Sequence, residues 1–238
     1  MRKLNSAQIK RATYQKYTFW VLPAVIAAGW IYPAAGFLLF LCMLGAVGFA
    51  LYKGRSWCNW MCPRGAFYDL LLGKISRNVQ IPGFFRKKSV RIFMVLLIMS
   101  VIGIQFYQVW GNLNSMGLVL IRLLTITTAA GIIFGTLFHP RTWCHICPMG
   151  TIANWLSKGK KPLYISDNCV SCKLCTKVCP MQLKPYDYKG FAVMGDNDCL
   201  KCSSCVEACP KKALSFSKVV QSNFQESRKH SYPPEIMR

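Results

Sequence analysis

The sequence predicts an all-α transmembrane bundle of four helices, arranged as two hairpins, followed by a small cysteine-rich α+β domain. Three observations predict it. Four apolar stretches, 19–32, 34–52, 90–110 and 117–138, are separated by two short uncharged turns and one long basic loop. Hydrophobic residues make up 53% of the 238 residues, too many for a soluble chain of this size. Of the 13 cysteines, most crowd between Cys169 and Cys209, in two matched runs.

Residues 1–18 carry Arg2, Lys3, Lys10, Arg11 and Lys16 and no acid, and read as a cytoplasmic arm. No small-residue cleavage site follows the apolar run behind them, so the arm is expected to stay attached rather than leave as a signal peptide. Pro33 and its small neighbours suit a tight turn between the first two spans, the first helix being short or extended backward through Tyr14 and Tyr17, with Trp20, Trp30 and Tyr32 at interfacial positions. Cys42, inside the second span, reads as a small buried hydrophobe. Gly111 to Met116 joins the third and fourth spans; Arg122 is the one charge within a span and reads as snorkelling to the interface. The loop from Lys53 to Arg91 holds nine Lys and Arg, whereas the hairpin turns hold none. The excess of positive residues on cytoplasmic loops then predicts a multi-pass protein of the cytoplasmic (inner) membrane, with both termini and the cysteine-rich domain inside. That distribution accounts for most of the +22 formal charge, and no nucleic-acid recognition motif accompanies it.

A motif recurs at the cytoplasmic end of each hairpin. Within 54–66 lies Arg55-Ser56-Trp57-Cys58, then Cys62-Pro63-Arg64-Gly65; within 140–151 lies Arg141-Thr142-Trp143-Cys144, then Cys147-Pro148-Met149-Gly150. Each copy precedes a short amphipathic stretch, 67–75 and 152–156. The 19–157 region is thus two copies of hairpin plus Cys-Pro loop, and repeats of this kind build sites at their interface. Cys58, Cys62, Cys144 and Cys147 are expected to converge there, where four thiolates can hold a third [4Fe-4S] cluster, zinc or another metal, or work as a dithiol–disulfide pair.

Lys158 to Pro162 is a basic linker into the last domain, expected over 158–219, with a flexible tail at 220–238. Cys169-x2-Cys172-x2-Cys175-x3-Cys179-Pro180 and Cys199-x2-Cys202-x2-Cys205-x3-Cys209-Pro210 have the spacing of bacterial two-cluster ferredoxins. Three thiolates of one loop face a cubane, and the fourth, on the following helix, reaches the other. The expected sets are Cys169, Cys172, Cys175 and Cys209, and Cys199, Cys202, Cys205 and Cys179. Free thiolates imply a reducing compartment. Pro185 to Gly190 reads as a turn in the insert between the runs. Lys173, Lys177, Lys184, Lys189, Lys201, Lys211 and Lys212 surround the runs and suit either an acidic redox partner or anionic lipid.

The histidines are His139, His145 and His230, and none lies mid-span opposite another, so no haem is expected. His139 and His145 are candidates for proton exchange with a quinone near the interface; alternatively His139 caps a helix end. No catalytic acid–base pair or phosphate loop is visible, so any oxidoreductase turnover is expected to reside in a complex with other redox subunits.

The paired Cys-Pro motifs between apolar hairpins, with the two-cluster ferredoxin behind them, resemble the NapH-type membrane polyferredoxins, which include the membrane half of NosR and the CcoG-type assembly proteins. The resemblance covers about residues 15–215, with one departure: the second pair is Cys-x2-Cys-Pro where Cys-x3-Cys-Pro is usual. It implies electron transfer between the quinone pool and a partner oxidoreductase. Alternatives are reduction of a metal such as copper during enzyme maturation, as in the CcoG type, or a redox sensor.

Overall fold

The computed structural model describes residues 6–216; Arg2, Lys3 and the tail expected at 220–238 lie outside the described residues. The expected arm is a helix: α1 runs Ser6–Phe19 and is followed, after a break at Trp20, by α2, Val21–Ile31. Pro23 accounts for the break, because it has no N–H to give the Phe19 carbonyl and its ring crowds that same carbonyl. The expected first span is therefore represented by α2 alone, whose 11 residues rise only about 16 Å against an apolar membrane core of about 30 Å. A proline-led 3₁₀ turn, Pro33–Phe37, leads into α3, Leu38–Lys53.

The second hairpin is regular: α6, Lys88–Gln108, and α7, Leu113–Leu137, with the Asn112 side chain accepting from the Ser115 N–H to cap α7. Among the described residues, three helical stretches are long and apolar enough to cross a membrane: Pro33–Leu72, which contains α3, together with α6 and α7. Their outer faces carry exposed Leu41, Leu44, Phe93, Leu96, Ile126 and Ile133, which water would not favour and lipid would. Arg122 is exposed on α7. The hairpins meet through small residues. A Cβ on Gly117 of α7 would fall 2.1 Å from the Pro33 carbonyl oxygen, so the 3₁₀ turn lies directly on the backbone of α7.

Each hairpin ends in the same device. After α3 comes the single turn α4, Trp57–Trp60, and then α5, Pro63–Leu72; after α7 come α8, Trp143–Ile146, and α9, Pro148–Leu156. Pro63 and Pro148 each sit in the first helical turn, where the lost N–H costs nothing, and Cys62 and Cys147 precede them in non-helical backbone. The amphipathic stretches of the sequence thus begin earlier than their apolar pattern suggested.

The C-terminal module is small. β1, Tyr164–Ile165, pairs antiparallel with β2, Leu214–Ser215, and Tyr164 also bridges to Val193. Two single-turn helices, α10 (Leu174–Lys177) and α11 (Ser204–Glu207), follow the two cysteine loops, and the insert turn is a 3₁₀ segment, Pro185–Tyr188. Leu163, Ile165, Met181, Leu183, Leu200 and Leu214 form the core with the cysteines.

This module is bolted to the helical half. Arg86 donates to the carbonyls of Met181 and Gln182, each at 3.0 Å, and the Gln182 side chain accepts from the Ile81 N–H at 2.8 Å. At the other end, Glu207 accepts from the Ser6 hydroxyl at 2.8 Å and the Ala7 N–H at 2.6 Å, placing a carboxylate on the N-terminus of α1.

Candidate metal centres

The two cysteine runs build two cavities of matched design. Cys169, Cys172, Cys175 and Cys209 line one, with Tyr186 and Leu214 among its apolar walls; Cys179, Cys199, Cys202 and Cys205 line the other, with Met181 and Leu200. Each encloses roughly 360–380 Å³ including its open mouth. Three cysteines of each set come from one loop and the fourth from behind the other. The backbone is matched as well: Ser171 and Lys201 have φ of 52° and 54°, and Lys173 and Ser203 both have 60°. Left-handed residues without glycine are uncommon and cost about 1 kcal/mol or more each. Four of them, repeated at the same places in two loops, show a backbone shaped around something.

The residues fit an iron–sulfur cubane. All the donors are thiols, the walls are apolar, and among the described residues no three Cys, His, Asp or Glu side chains close round a single metal ion. Burial pushes the Cys179 thiol up to about 12 and the Cys199 thiol up to about 11, so neither is a free thiolate at neutral pH. Coordination to iron is what would deprotonate them. The two cavities differ in exposure: Cys199, Cys202 and Cys205 are buried, whereas Cys172 is exposed.

The Cys-Pro loops meet against this module, Cys58 and Cys144 both packing on its core. Cys62 lies within electrostatic reach of Cys58 and Cys144, and Cys144 within reach of Cys147 and Cys58, so the four share one neighbourhood. Cys42 of α3 belongs to it too, close enough to couple to Cys58, Cys62 and Cys147.

Two arginines cross between the copies. Arg55, from the first, donates to the Cys144 carbonyl of the second at 3.0 Å; Arg141, from the second, donates to the Cys58 carbonyl of the first at 2.9 Å. The same Arg141 nitrogen lies 3.8 Å from Cys144 Sγ. Both side chains are buried, Arg55 at 1% exposure and Arg141 at 0%. This exchange explains the glycine that ends each motif. A Cβ at Gly65 would stand 2.7 Å from Arg141 Nη1, and one at Gly150 would stand 2.7 Å from Arg55 Nη2.

Buried guanidinium groups need partners, and each finds a buried aspartate. Arg141 makes a fork to Asp69 of α5, Nε to Oδ1 at 2.8 Å and Nη2 to Oδ2 at 2.5 Å, and Arg11 and Gln15 of α1 join the same carboxylate. Arg55 pairs with Asp198, the residue before Cys199, as do both Arg91 amino groups and the Asn154 amide at 2.6 Å. Burial alone would raise the Asp198 carboxyl, but Arg55, with His145 and Arg91, holds it well below the usual carboxylate range. Two arginines to one aspartate at the Asp69 hub leaves positive charge beside the thiols; at the other hub Asp196, whose Oδ1 accepts from the Asp198 N–H at 2.9 Å, is a second carboxyl facing Arg91. The surplus at the Asp69 hub suits an anionic thiolate centre.

His145 is buried, with Nδ1 3.6 Å from Asp198 Oδ2, and burial keeps its pKa below the ordinary value despite the pull of the aspartate. The His139 imidazole accepts from the Arg141 N–H at 3.3 Å, and burial brings its pKa down to about 4. Both rings are thus neutral at pH 7 and belong to the hubs. Sequence reasoning noted the repeated Arg and Gly without a role and passed over Asp69 and Asp198. The signal was there, since a chain with 30 basic residues has only 8 acids.

Comparison with known proteins falls on the same segments. A 4Fe-4S binding domain family matches twice, over residues 35–82 and 121–166, and a 4Fe-4S dicluster domain family matches residues 168–214. Two uncharacterized proteins of Methanocaldococcus jannaschii are similar. One is 29% identical over 56% of this chain and 62% of its own length; the other is 25% identical over 76% and 77%. The methylamine utilization ferredoxin-type protein MauN of Methylobacillus flagellatus is 27% identical over 55% of this chain and half of MauN. No solved structure matches. Both Cys-Pro copies thus fall within matches to a 4Fe-4S binding domain, and the paired cysteine runs within a match to a 4Fe-4S dicluster domain, while the chain spans less than two thirds of the length of the first of these relatives.

Proposed function

We propose that this protein is a membrane-anchored electron relay of the NapH type, working between the quinone pool and a partner oxidoreductase. The observation that carries the proposal is the continuity of thiol sites, from the Cys-Pro junction at the end of the apolar helices to the two ferredoxin cavities packed against it. Bound [4Fe-4S] clusters would supply reversible one-electron chemistry there. Cys169, Cys172, Cys175 and Cys209 would hold one, and Cys179, Cys199, Cys202 and Cys205 the other. Cys58, Cys62, Cys144 and Cys147 would hold a third, a reading supported by the crossed arginines and by the 4Fe-4S family matching each copy of that loop.

The protein's own residues give this arrangement its rigidity. Asp198 clamps Arg55 of the first loop and Arg91 of α6 while its neighbour Cys199 lines a ferredoxin cavity, so the junction and the module cannot shift independently. The basic loop and the helix α1 fix the module on the side of the membrane where the positive residues lie, which supports a cytoplasmic position. His139 and His145 are neutral members of the hubs, and the proposal gives them no proton-carrying step.

Iron and acid-labile sulfide per chain, measured on anaerobically purified protein, test the third centre. About twelve irons falling to about eight in Cys62→Ala/Cys147→Ala are expected, with zinc and copper absent from both. About eight in both proteins would remove the third cluster. Reduction of the clusters by a menaquinol analogue in lipid nanodiscs, followed by visible absorption, tests the quinone end.

A further inference from the structure

The pseudo-twofold symmetry of the ferredoxin module relates two faces of it. Lys173 corresponds to Ser203, Lys211 to Met181 and Lys212 to Gln182, each counted from the equivalent cysteine of the two runs. The face at Met181 and Gln182 is occupied, because Arg86 binds both carbonyls and the Gln182 side chain ties to Val79 and Ile81. Its counterpart is open. There Cys172, Lys173, Lys211 and Lys212 are exposed, and Val170 is 59% exposed.

Two lysines of this open face belong to the wall of a thiol-lined cavity, and Lys212 follows them in sequence. Lys173 and Lys211 line the same cavity as Cys169, Cys172, Cys175 and Cys209, and Lys173 Nζ stands 5.9 Å from the centre of the Tyr186 ring, another of its walls. Lys173 and Lys212 hold left-handed backbone, φ 60° and 47°, where glycine or asparagine would cost less. The equivalents around the other cavity are a serine, a buried methionine and a glutamine. At these three positions exposed lysines stand at one mouth and uncharged residues at the other, whose own cations, Lys201 between Cys199 and Cys202 and Arg86 on the Met181 and Gln182 carbonyls, are partly buried in the contact with the helical half. Asp167 is the acid nearest Lys173 in sequence and Asp187 follows the Tyr186 wall, while the carboxylate of Glu207, the acid nearest Lys211, is taken up by α1.

We propose that the exposed face around Cys172, which takes in Val170, Lys173 and Lys211 of the cavity wall and the adjoining Lys212, is the docking surface for an acidic electron-transfer protein. The inference rests on the relay reading for what the encounter accomplishes. The docking rests on the surface alone. Basic rims steer and orient acidic partners, and an apolar patch beside an exposed ligand brings the two redox groups close without requiring a large, slow-releasing interface. Among the described residues, the hydrogen bonds from the helical half reach the module at residues 181, 182, 198 and 207 and none reaches Cys172, Lys173, Lys211 or Lys212.

The test uses the full chain in nanodiscs and an oxidised acidic flavodoxin as probe, with binding read by biolayer interferometry. The triple variant Lys173→Glu/Lys211→Glu/Lys212→Glu is expected to weaken binding about tenfold or more at low salt, and to strengthen binding of a basic c-type cytochrome. Wild-type binding is expected to weaken with added salt, and Lys184→Glu/Lys189→Glu, on the insert, to change it less than about twofold. Unchanged iron content would show the module intact; were the reversal to lose iron, the Lys→Gln set would read the same weakening at smaller size. Wild-type affinity in both sets overturns the proposal. So does an effect present in anionic nanodiscs and lost in zwitterionic ones, which would assign the lysines to lipid. Binding is read without electron flow, so failure of quinol reduction would leave it unaffected and would count against the relay reading only.

Discussion

The two Cys-Pro copies share a motif and a backbone, yet their arginines answer to different acids. Arg141 is held by Asp69, inside the helical half and together with α1; Arg55 is held by Asp198, inside the ferredoxin module. The crossing to the other copy's cysteine carbonyl is the same in both. The symmetric part of the device therefore shapes the four-thiol junction, and the asymmetric part decides what it is attached to. One copy fastens the junction to the bundle and the other fastens it to the module.

Removing each acid breaks this comparison most directly. Asp198→Ala would strand Arg55 and Arg91 in the interior, at a cost of roughly 3–5 kcal/mol. The module should then loosen from the helices, seen as rapid proteolysis in the 158–162 linker, while a large part of the ferredoxin iron is retained. Asp69→Ala strands Arg141 and Arg11 at a similar cost. Here the linker should stay protected and, if the proposed third cluster is held there, the iron lost should be that of the Cys-Pro junction. Identical patterns of proteolysis and iron loss in the two variants would mean that the hubs form a single unit.

A smaller effect tests the symmetric part. Gly65→Ala and Gly150→Ala each drive a methyl toward a buried guanidinium, and overpacking of this kind costs about 1–3 kcal/mol. The thermal midpoints of the two variants should fall by similar amounts, each partly restored when the facing arginine, Arg141 or Arg55, is shortened to Lys. A fall in one and none in the other would show that only one crossing matters.

How much of this was legible in the chain follows from the range of each interaction. The paired cysteine runs and the Cys-Pro repeat are local spacings, so their positions and the apolar stretches α3, α6 and α7 could be read directly, whereas the proline-led starts of α5 and α9 lie ahead of the apolar pattern and are missed by it. The first span leaves two lengths open in the sequence, short or extended backward through Tyr14 and Tyr17, because apolarity does not register a backbone break; Pro23 makes one, and α2 is short behind α1. The arm was read as an arm because α1 owes its place to partners far away, Glu207 and Asp69. The crossed arginines were least legible. Arg141 reaches a carbonyl 83 residues distant, and nothing local to either copy says that its arginine serves the other. Cys42 is similar: a membrane cysteine reads as filler until its neighbours are seen.

The smallest effect concerns pH and the asymmetry at the two histidines. His139 packs on the Arg141 loop, facing Asp69, Arg141, His145 and Arg11, and burial takes its pKa from 6.5 to about 4. Between those values the unfolded chain binds a proton that the folded chain refuses, so this group costs stability progressively as pH falls through that window. Above about 6.5 both states are neutral and the contribution vanishes. His139→Gln should therefore leave the thermal midpoint nearly unchanged at pH 7.5 and flatten its fall between pH 6.5 and 5. The comparison is the difference between variant and wild type, each fully loaded with iron, so that acid lability of the clusters cancels. His145 is shifted in the same direction and would keep part of the slope, since it rests on the Asp198 hub rather than the Asp69 hub. Equal slopes in His139→Gln and wild type would mean that the His139 ring takes its proton in the folded state as readily as in the unfolded chain, and that the Arg141 loop is open to water where the structure closes it.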